Sequence, residues 1–398
     1  MNSIGHIPIV ISRGTPYEIG LNHGRTASDR VRKSCEGNVN SFIGKIITRL
    51  EAERLATRFA ENVRRFRPEY LEEIRGIAEG SGLPFMDIMI LNCRTELQKI
   101  KWNKQDRQGA WELNQAVRAS ELSKAGDSSF EDGSFGGRHE HCTSIAVTGE
   151  RTADGATYVG QNWDNWAWSE DCIIFHVIEQ EGGKPAIAYC GEAGIITRSG
   201  MNSCGIGSCV NTLTTDAPVN LDGIPLQFLL RAVLDSRDLA EAVDACANGK
   251  NGAVNNILLA SASGDALDVE MDTGCSGMLY QRDGILVHSN HYESVGHPAA
   301  PYRQMISGSS YLRFHRADRL LRRLDRITKE DIQQVLADHG NAPSGCLCRH
   351  CNEAKASKDQ LETVMSFLCN LMTLEFSLAP HYPCQGYETF KPFDLLKS

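Results

Sequence analysis

A change of texture around residue 141 constrains this fold more than any other feature. Up to about residue 98 the apolar residues recur at helical spacing, whereas after Cys142 short apolar segments are separated by turn signals. Between them, residues 99–141 are rich in Gln, Lys, Asn, Ser, Gly and acidic side chains and include Gly133-Ser134-Phe135-Gly136-Gly137. A patternless stretch of that length reads as a functional or disordered linker. Helices in one run and strands in another favour a layered α+β architecture over alternating βαβ units.

Within the first run, residues 7–12 read as a strand ended by Arg13-Gly14-Thr15-Pro16, with Thr15 as N-cap and Pro16 at the first helical position. Phe42, Ile46, Ile47 and Leu50 fall at helical spacing, and Pro68 and Pro84 divide the run into separate helices. In the second run strands are expected near 142–148, 156–163, 172–180, 185–191, 194–200, 253–261, 266–272 and 284–289, with a closing pair near 363–378. Helices are expected near 224–236, 238–249, 310–324 and 329–338. The glycine pair Gly205-Ile206-Gly207 has no dinucleotide-binding context and carries no signal.

A net charge of −9 argues against a nucleic-acid surface. No apolar run reaches the roughly 18 residues that span a bilayer. The start, Met1-Asn2-Ser3-Ile4-Gly5-His6, lacks a charged region followed by an apolar one, and Leu396-Lys397-Ser398 differs from the Ser-Lys-Leu peroxisomal address. A cytoplasmic location is expected. Fourteen cysteines over 398 residues then read as reduced thiols, with Cys190, Cys209 and Cys369 as small core residues.

Cys142 stands at the junction of linker and strand. If the bond before it is cut, its own amino group, with a pKa of about 7.7–8.0, can take the proton of a thiol near 8.5. Nucleophile and base would then share one residue; the rival reading is an inert buried thiol. Asp164, in Gly160-Gln161-Asn162-Trp163-Asp164, ends a strand that would pair antiparallel with 142–148, which returns it to Cys142 as an anchor for an amine; the rival is a capping Asp in a turn. Asn290, in Val287-His288-Ser289-Asn290-His291, ends another strand and offers an amide N–H suited to an oxyanion; its flanking histidines also invite a metal. Cys346-Leu347-Cys348-Arg349-His350-Cys351 holds three thiols and a His in six residues. No second pair at zinc-finger spacing accompanies it, and four ligands so tightly packed rarely close one tetrahedron.

Taken in order, these segments resemble the acyl-coenzyme A:6-aminopenicillanic acid acyltransferase family of N-terminal-nucleophile hydrolases over nearly the whole chain. Arg13-Gly14-Thr15-Pro16-Tyr17-Glu18-Ile19-Gly20 with His23-Gly24 looks like the family's opening, and Tyr70 to Ala78 and Leu91 to Glu96 like its helical pre-segment. Cys142-Thr143-Ser144 looks like its nucleophile segment. Gly160 to Asp164, Glu192 to Ile196 and Asn202 to Gly205 look like its core strands, and Thr363 to Ser366 like the lead into its closing strand pair.

The resemblance implies a four-layer αββα sandwich and self-cleavage between His141 and Cys142. An α chain (1–141, carrying the linker) and a β chain (142–398) would stay associated as one composite domain. It implies a thioester at Cys142, an oxyanion bound by Asn290, and Asp164 and Arg349 orienting the amino terminus and gripping polar ends of the substrate; a guanidinium suits a carboxylate. Ser144 and Asn211 are implied as substrate-binding residues. His141 stands where the family's penicillin enzyme has Gly, which bears on the cleavage rate. No cofactor or metal is implied, only acyl-CoA as a candidate co-substrate, an acyl donor and an amine acceptor as small-molecule partners, and neither nucleic acid nor membrane. Transfer to an amine and hydrolysis by water share the same thioester. Two other readings remain: a non-enzymatic zinc-binding protein using the Cys346–Cys351 run, and a catalytically silent relative with an intact fold.

Overall fold

The computed structural model describes residues 3–43, 47–100, 141–215, 217–247, 250–273, 276–294, 307–351 and 360–397. The linker expected at 99–141 therefore lies almost wholly outside the described residues. Among the described residues fifteen strands form two sheets. One holds β1 (Ser3–Ile4), β2 (Ile7–Gly14), β5 (Ile173–Gln180), β6 (Ile187–Glu192), β7 (Gly200–Asn202), β8 (Ile206–Thr212), β9 (Asn255–Ser261), β10 (Ala266–Met271) and β11 (Ser276–Tyr280), in that spatial order. The other runs β12 (Ile285–His288), β3 (His141–Val147), β4 (Tyr158–Trp166), β13 (Leu361–Asn370), β14 (Glu375–Ala379) and β15 (Glu388–Phe390). The β2–β5 pair is parallel and the other named pairs are antiparallel.

The strand period of two sorts side chains into layers. On β9, Leu258 enters a core shared by the two sheets while Ile257 and Leu259 enter a core shared with helices. Beside α1 (Pro16–Thr26), whose Ile19 packs on Ile178, Ile187 and Tyr189, that outer core is covered by α2 (Ser28–Phe42), α3 (Arg49–Phe66), α4 (Glu69–Ser81), α5 (Phe85–Asn92), α6 (Leu226–Leu234) and α7 (Leu239–Ala247). On β3, Cys142 and Ala146 face the shared core, while Ile145 and Val147 meet α8 (Gly308–Arg322) and α9 (Lys329–Leu336). The result is the expected four-layer αββα sandwich.

Local chemistry explains the element ends. Thr15 caps α1 in a capping box: its hydroxyl accepts from the Glu18 N–H and the Glu18 carboxylate accepts from the Thr15 N–H at 2.8 Å. Pro68 and Pro84 stand just ahead of α4 and α5. The helical spacing of Phe42, Ile46, Ile47 and Leu50 does not make one helix. α2 ends at Phe42, Ile46 lies outside the described residues, and Thr48 caps a new helix by accepting from the Glu51 N–H at 3.1 Å. The strand expected at 194–200 is also corrected: Gly194, at φ +92°, turns the chain, and pairing resumes only at Gly200. β8 begins at Ile206, inside the glycine pair set aside above.

One set of contacts packs the first helices on each other and a second binds them to the strands. Gly20 and Gly24 on α1 face Gly76 and Gly80 on α4 so closely that a Cβ at Gly20 would strike the Glu73 carbonyl and one at Gly76 the Tyr17 carbonyl. The β6–β7 turn is gripped from the helical side: the Gly194 N–H donates to His23 Nε2 (3.0 Å), and Asn92 donates to the Gly194 carbonyl (2.8 Å) and accepts from the Ile196 N–H (3.0 Å). Arg94 and Glu192 form a buried ion pair, with Asn38 donating to Glu192 at 3.0 Å. The sequence segments that carried the resemblance are thus largely contact surfaces between helices and sheet. No helix of the described residues is long and apolar enough to cross a membrane.

Two outcomes follow from this packing. Gly76→Val destabilises the fold by about 2–3 kcal/mol, read by urea unfolding, because the helices must separate. Burial holds His23 at a pKa of about 3, below the unfolded value of 6.5, so protonation favours the unfolded chain. Its contribution is complete above 6.5 and is lost as pH falls toward 3. The stability difference between wild type and His23→Gln should shrink by up to about 1.4 kcal/mol per pH unit across that window. An unchanged difference between about pH 7.5 and about pH 5 would show that His23 is not held neutral.

Candidate active site

Cys142 lies near the start of β3, opposite Trp163 on β4, and its side chain is 1% exposed between the sheets. Its backbone N–H donates to Asn290 Oδ1 at 3.0 Å. Asn290 sits two residues past β12, where its own N–H donates to Ser310 Oγ at 2.8 Å. Its Nδ2 donates to the Thr212 carbonyl at 3.0 Å, and Oδ1 also accepts from Arg313 Nη2 at 2.7 Å. Two donors on one side and a carbonyl on the other fix the orientation of this amide. Asn290 therefore presents its oxygen to Cys142, and its N–H, expected at an oxyanion, is engaged by Thr212.

Arg313 on α8 went unread in the sequence. It is fully buried and donates through Nη1 to the Cys142 carbonyl (2.6 Å) and Thr143 Oγ1 (2.7 Å) as well as through Nη2 to Asn290. Burial pushes its pKa down to about 10 against the pull of Asp164, so it is charged at neutral pH. The signal was an arginine in register with Ser310, Ala317 and Leu321 on the buried stripe of a helix.

Asp164 pairs with His141 in the β3–β4 register. Its Oδ1 accepts from Thr363 Oγ1 at 2.7 Å. Burial raises its carboxyl pKa, opposed by Arg349 and Arg313. Arg349 is locked to the same threonine: its N–H donates to Thr363 Oγ1 and its carbonyl accepts from the Thr363 N–H, both at 2.9 Å. Its Nη2 donates to the Ser344 carbonyl at 2.6 Å. Asp164, Arg349 and Arg313 thus act on one another electrostatically beside Cys142.

Ser144 and Asn211, expected to touch substrate, are both buried and engaged with each other. Ser144 Oγ donates to Asn211 Oδ1 at 2.7 Å and accepts from Gln161 Nε2 at 3.2 Å, so they tie β3 to β8 across the sheet interface. The histidines around Asn290 are engaged as well. His288 Nε2 meets Glu270 at 2.8 Å and His291 Nδ1 meets Ser310 Oγ at 2.7 Å. His288 and the Ser294 and Glu293 donors hold the Glu270 carboxyl down at about 2. The Cys346–Cys351 run does not gather as a whole: Cys346 Sγ turns to the Pro343 carbonyl, the Cys351 N–H donates to the Tyr382 hydroxyl, and only Cys348 and His350 meet, at 3.3 Å.

The chain matches the family described as acyl-coenzyme A:6-aminopenicillanic acid acyl-transferase over residues 151–380, more than half its length. That span begins after Cys142. The chain itself is 28% identical over 358 residues, 89% of this chain and 88% of the relative, to the acyl-coenzyme A:6-aminopenicillanic-acid-acyltransferase 40 kDa form of Emericella nidulans. Among solved structures, a conjugated bile acid hydrolase mutant from Clostridium perfringens is 16% identical with a TM-score of 0.44, covering 63% of this chain and 92% of its own. A penicillin V acylase from Agrobacterium tumefaciens is 12% identical with a TM-score of 0.35, covering 60% and 82%. Likenesses that weak carry no argument here.

Arg313→Met removes one of the two cations that face Asp164 and the one that holds the Asn290 oxygen. A loss of about 3–5 kcal/mol in urea unfolding is expected. A loss below about 1 kcal/mol would mean that water or Arg349 replaces it.

Proposed function

This chain belongs to the acyl-coenzyme A:6-aminopenicillanic acid acyl-transferase family, and from that footing we propose that it is an acyl-transferring enzyme activated by self-cleavage between His141 and Cys142. One observation carries the reading. The nitrogen that cleavage would free already has a dedicated buried acceptor, Asn290 Oδ1 at 3.0 Å, which Arg313 holds in place.

After cleavage the Cys142 amino group takes the thiol proton, and the sulfur attacks the acyl carbonyl carbon. The tetrahedral adduct collapses to a thioester as the donor's leaving group departs with a proton. An amine then attacks the thioester, the carbon–sulfur bond breaks, and the thiol regains its proton. Asn290 and Arg313 are positioning residues for the amino terminus and its carbonyl. Thr363 and Asp164 hold the Arg349 segment, whose guanidinium suits an acceptor bearing a carboxylate. The Arg94–Glu192 pair and the Asn92 and His23 bonds keep the two pieces together once the chain is cut.

Intact-mass and amino-terminal analysis of wild type beside Cys142→Ala tests the cleavage. Two associated fragments, one starting at Cys142, are expected from wild type and a single chain from the variant; an active wild type that stays whole would overturn the proposal. Transfer is separated from hydrolysis by product analysis with an acyl-CoA, with and without amine acceptors. Acylated amine should form faster than free acid. Arg349→Lys should raise KM for a carboxylate-bearing acceptor about tenfold with a smaller change for a neutral one. Equal effects on both acceptors would remove the carboxylate grip.

A further inference from the structure

Four side chains outside this site converge near the surface. His339 follows α9, Cys348 and His350 flank Arg349, and Cys384 comes from the short 3₁₀ turn Pro383–Gln385. One atom from each, two imidazole nitrogens and two sulfurs, lies within 4.8 Å of every other. His350 Nε2 is the hub: it is 3.0 Å from His339 Nε2 and 3.3 Å from both Cys348 Sγ and Cys384 Sγ. Ligand atoms sharing one tetrahedral zinc, at about 2.3 Å from sulfur and about 2.0 Å from nitrogen, lie about 3.3–3.8 Å from each other. The three distances from His350 are close to that edge length and the remaining pairs stay within 4.8 Å, so a small shift of the side chains would place all four around one ion.

We propose that His339, Cys348, His350 and Cys384 bind one zinc ion in a closed Cys2His2 site. Two thiolates neutralise the dication, two neutral imidazoles complete the tetrahedron, and binding releases the two thiol protons. Four protein ligands leave no open position, so the ion is structural. The surroundings suit that role. The Cys348 N–H donates to the Asp338 carbonyl at 3.0 Å, and Arg316 grips Asp338 through two bonds of 2.8 Å, which fixes the backbone on both sides of the site. The His350 ring stacks on Tyr382 at 3.9 Å and 17°. The metal would join three segments distant in sequence and clamp the residues on either side of Arg349. The site rests on ligand geometry alone, independently of the acyl-transfer reading, and its test needs no activity assay.

The experiment is elemental analysis of the full-length protein, purified without a polyhistidine tag, reconstituted with zinc and dialysed. About one zinc per chain is expected for wild type, Cys346→Ser and Cys351→Ser, and less than about one-fifth for Cys384→Ser and His339→Ala. Cobalt substitution should give the visible bands of a tetrahedral site with thiolate charge transfer in wild type and lose them in Cys384→Ser. Should those variants fail to fold, titration of wild type with a mercurial reagent gives the same answer: zinc should leave as two thiols react. Wild type holding less than about one-fifth of an equivalent, or zinc retained by both ligand variants, would overturn the proposal. A Cys348–Cys384 disulfide in protein that cannot be loaded with zinc, or a different metal that zinc does not displace, would overturn it too.

Discussion

The buried guanidinium of Arg313 organises the centre of this molecule. A charge without solvent requires partners of opposite sign or strong acceptors, or it destabilises the fold. Here those partners are the Cys142 carbonyl, the Thr143 hydroxyl and the Asn290 amide oxygen, with Asp164 supplying the opposing charge. The requirement to satisfy one cation therefore fixes β3, the turn after β12 and helix α8 relative to one another. Asn290 cannot turn its oxygen away without giving up its bonds to Arg313 Nη2 and the Cys142 N–H. The geometry around Cys142 is thus built into folding stability before any chemistry takes place.

A second constraint concerns the helical first hundred residues. They form most of the outer helical layer over the nine-stranded sheet, so they are part of the fold and not a detachable leader. The α1–α4 crossing is close because glycines leave no Cβ between the helices, and α1 in turn supplies His23 to the Gly194 turn. A cut next to Cys142 would sever the backbone without removing these contacts. Loss of connectivity costs only the ordering entropy of rejoining two pieces, which a large apolar core and a buried ion pair can offset.

Much of this was legible in the sequence, and for a physical reason. Short, nearly continuous apolar runs bounded by turn signals report strands buried on both faces, and Thr15-Pro16 marks a helix start through groups that the backbone itself leaves unpaired. The order of helical and strand runs was enough for the layered class. What stayed hidden depends on convergence of distant residues. Arg313 looks like any basic residue on a polar helix until α8 is packed against β3. Ser144 and Asn211 looked available to a ligand because a one-dimensional chain does not show that β3 and β8 face each other. β8 was passed over because its glycines weakened the strand pattern. The reason for Gly207 is tertiary: a side chain there would meet Val159 and Leu371 of the facing sheet.

The run from Cys346 to Cys351 shows the same limit from the other direction. Read alone it offers too many ligands in too little chain to close one tetrahedron. The structure divides them. Cys348 and His350 project to one side, where His339 and Cys384 wait, while Arg349 between them projects toward Asp164 and Arg313. Its backbone is held to Thr363 through both its N–H and its carbonyl. A ligand on the outer face would therefore restrict the guanidinium on the inner face without touching it. Positional precision of a long, flexible arginine is best secured through its neighbours, because fixing the backbone at both adjacent residues removes the entropy that a side-chain contact alone would have to overcome.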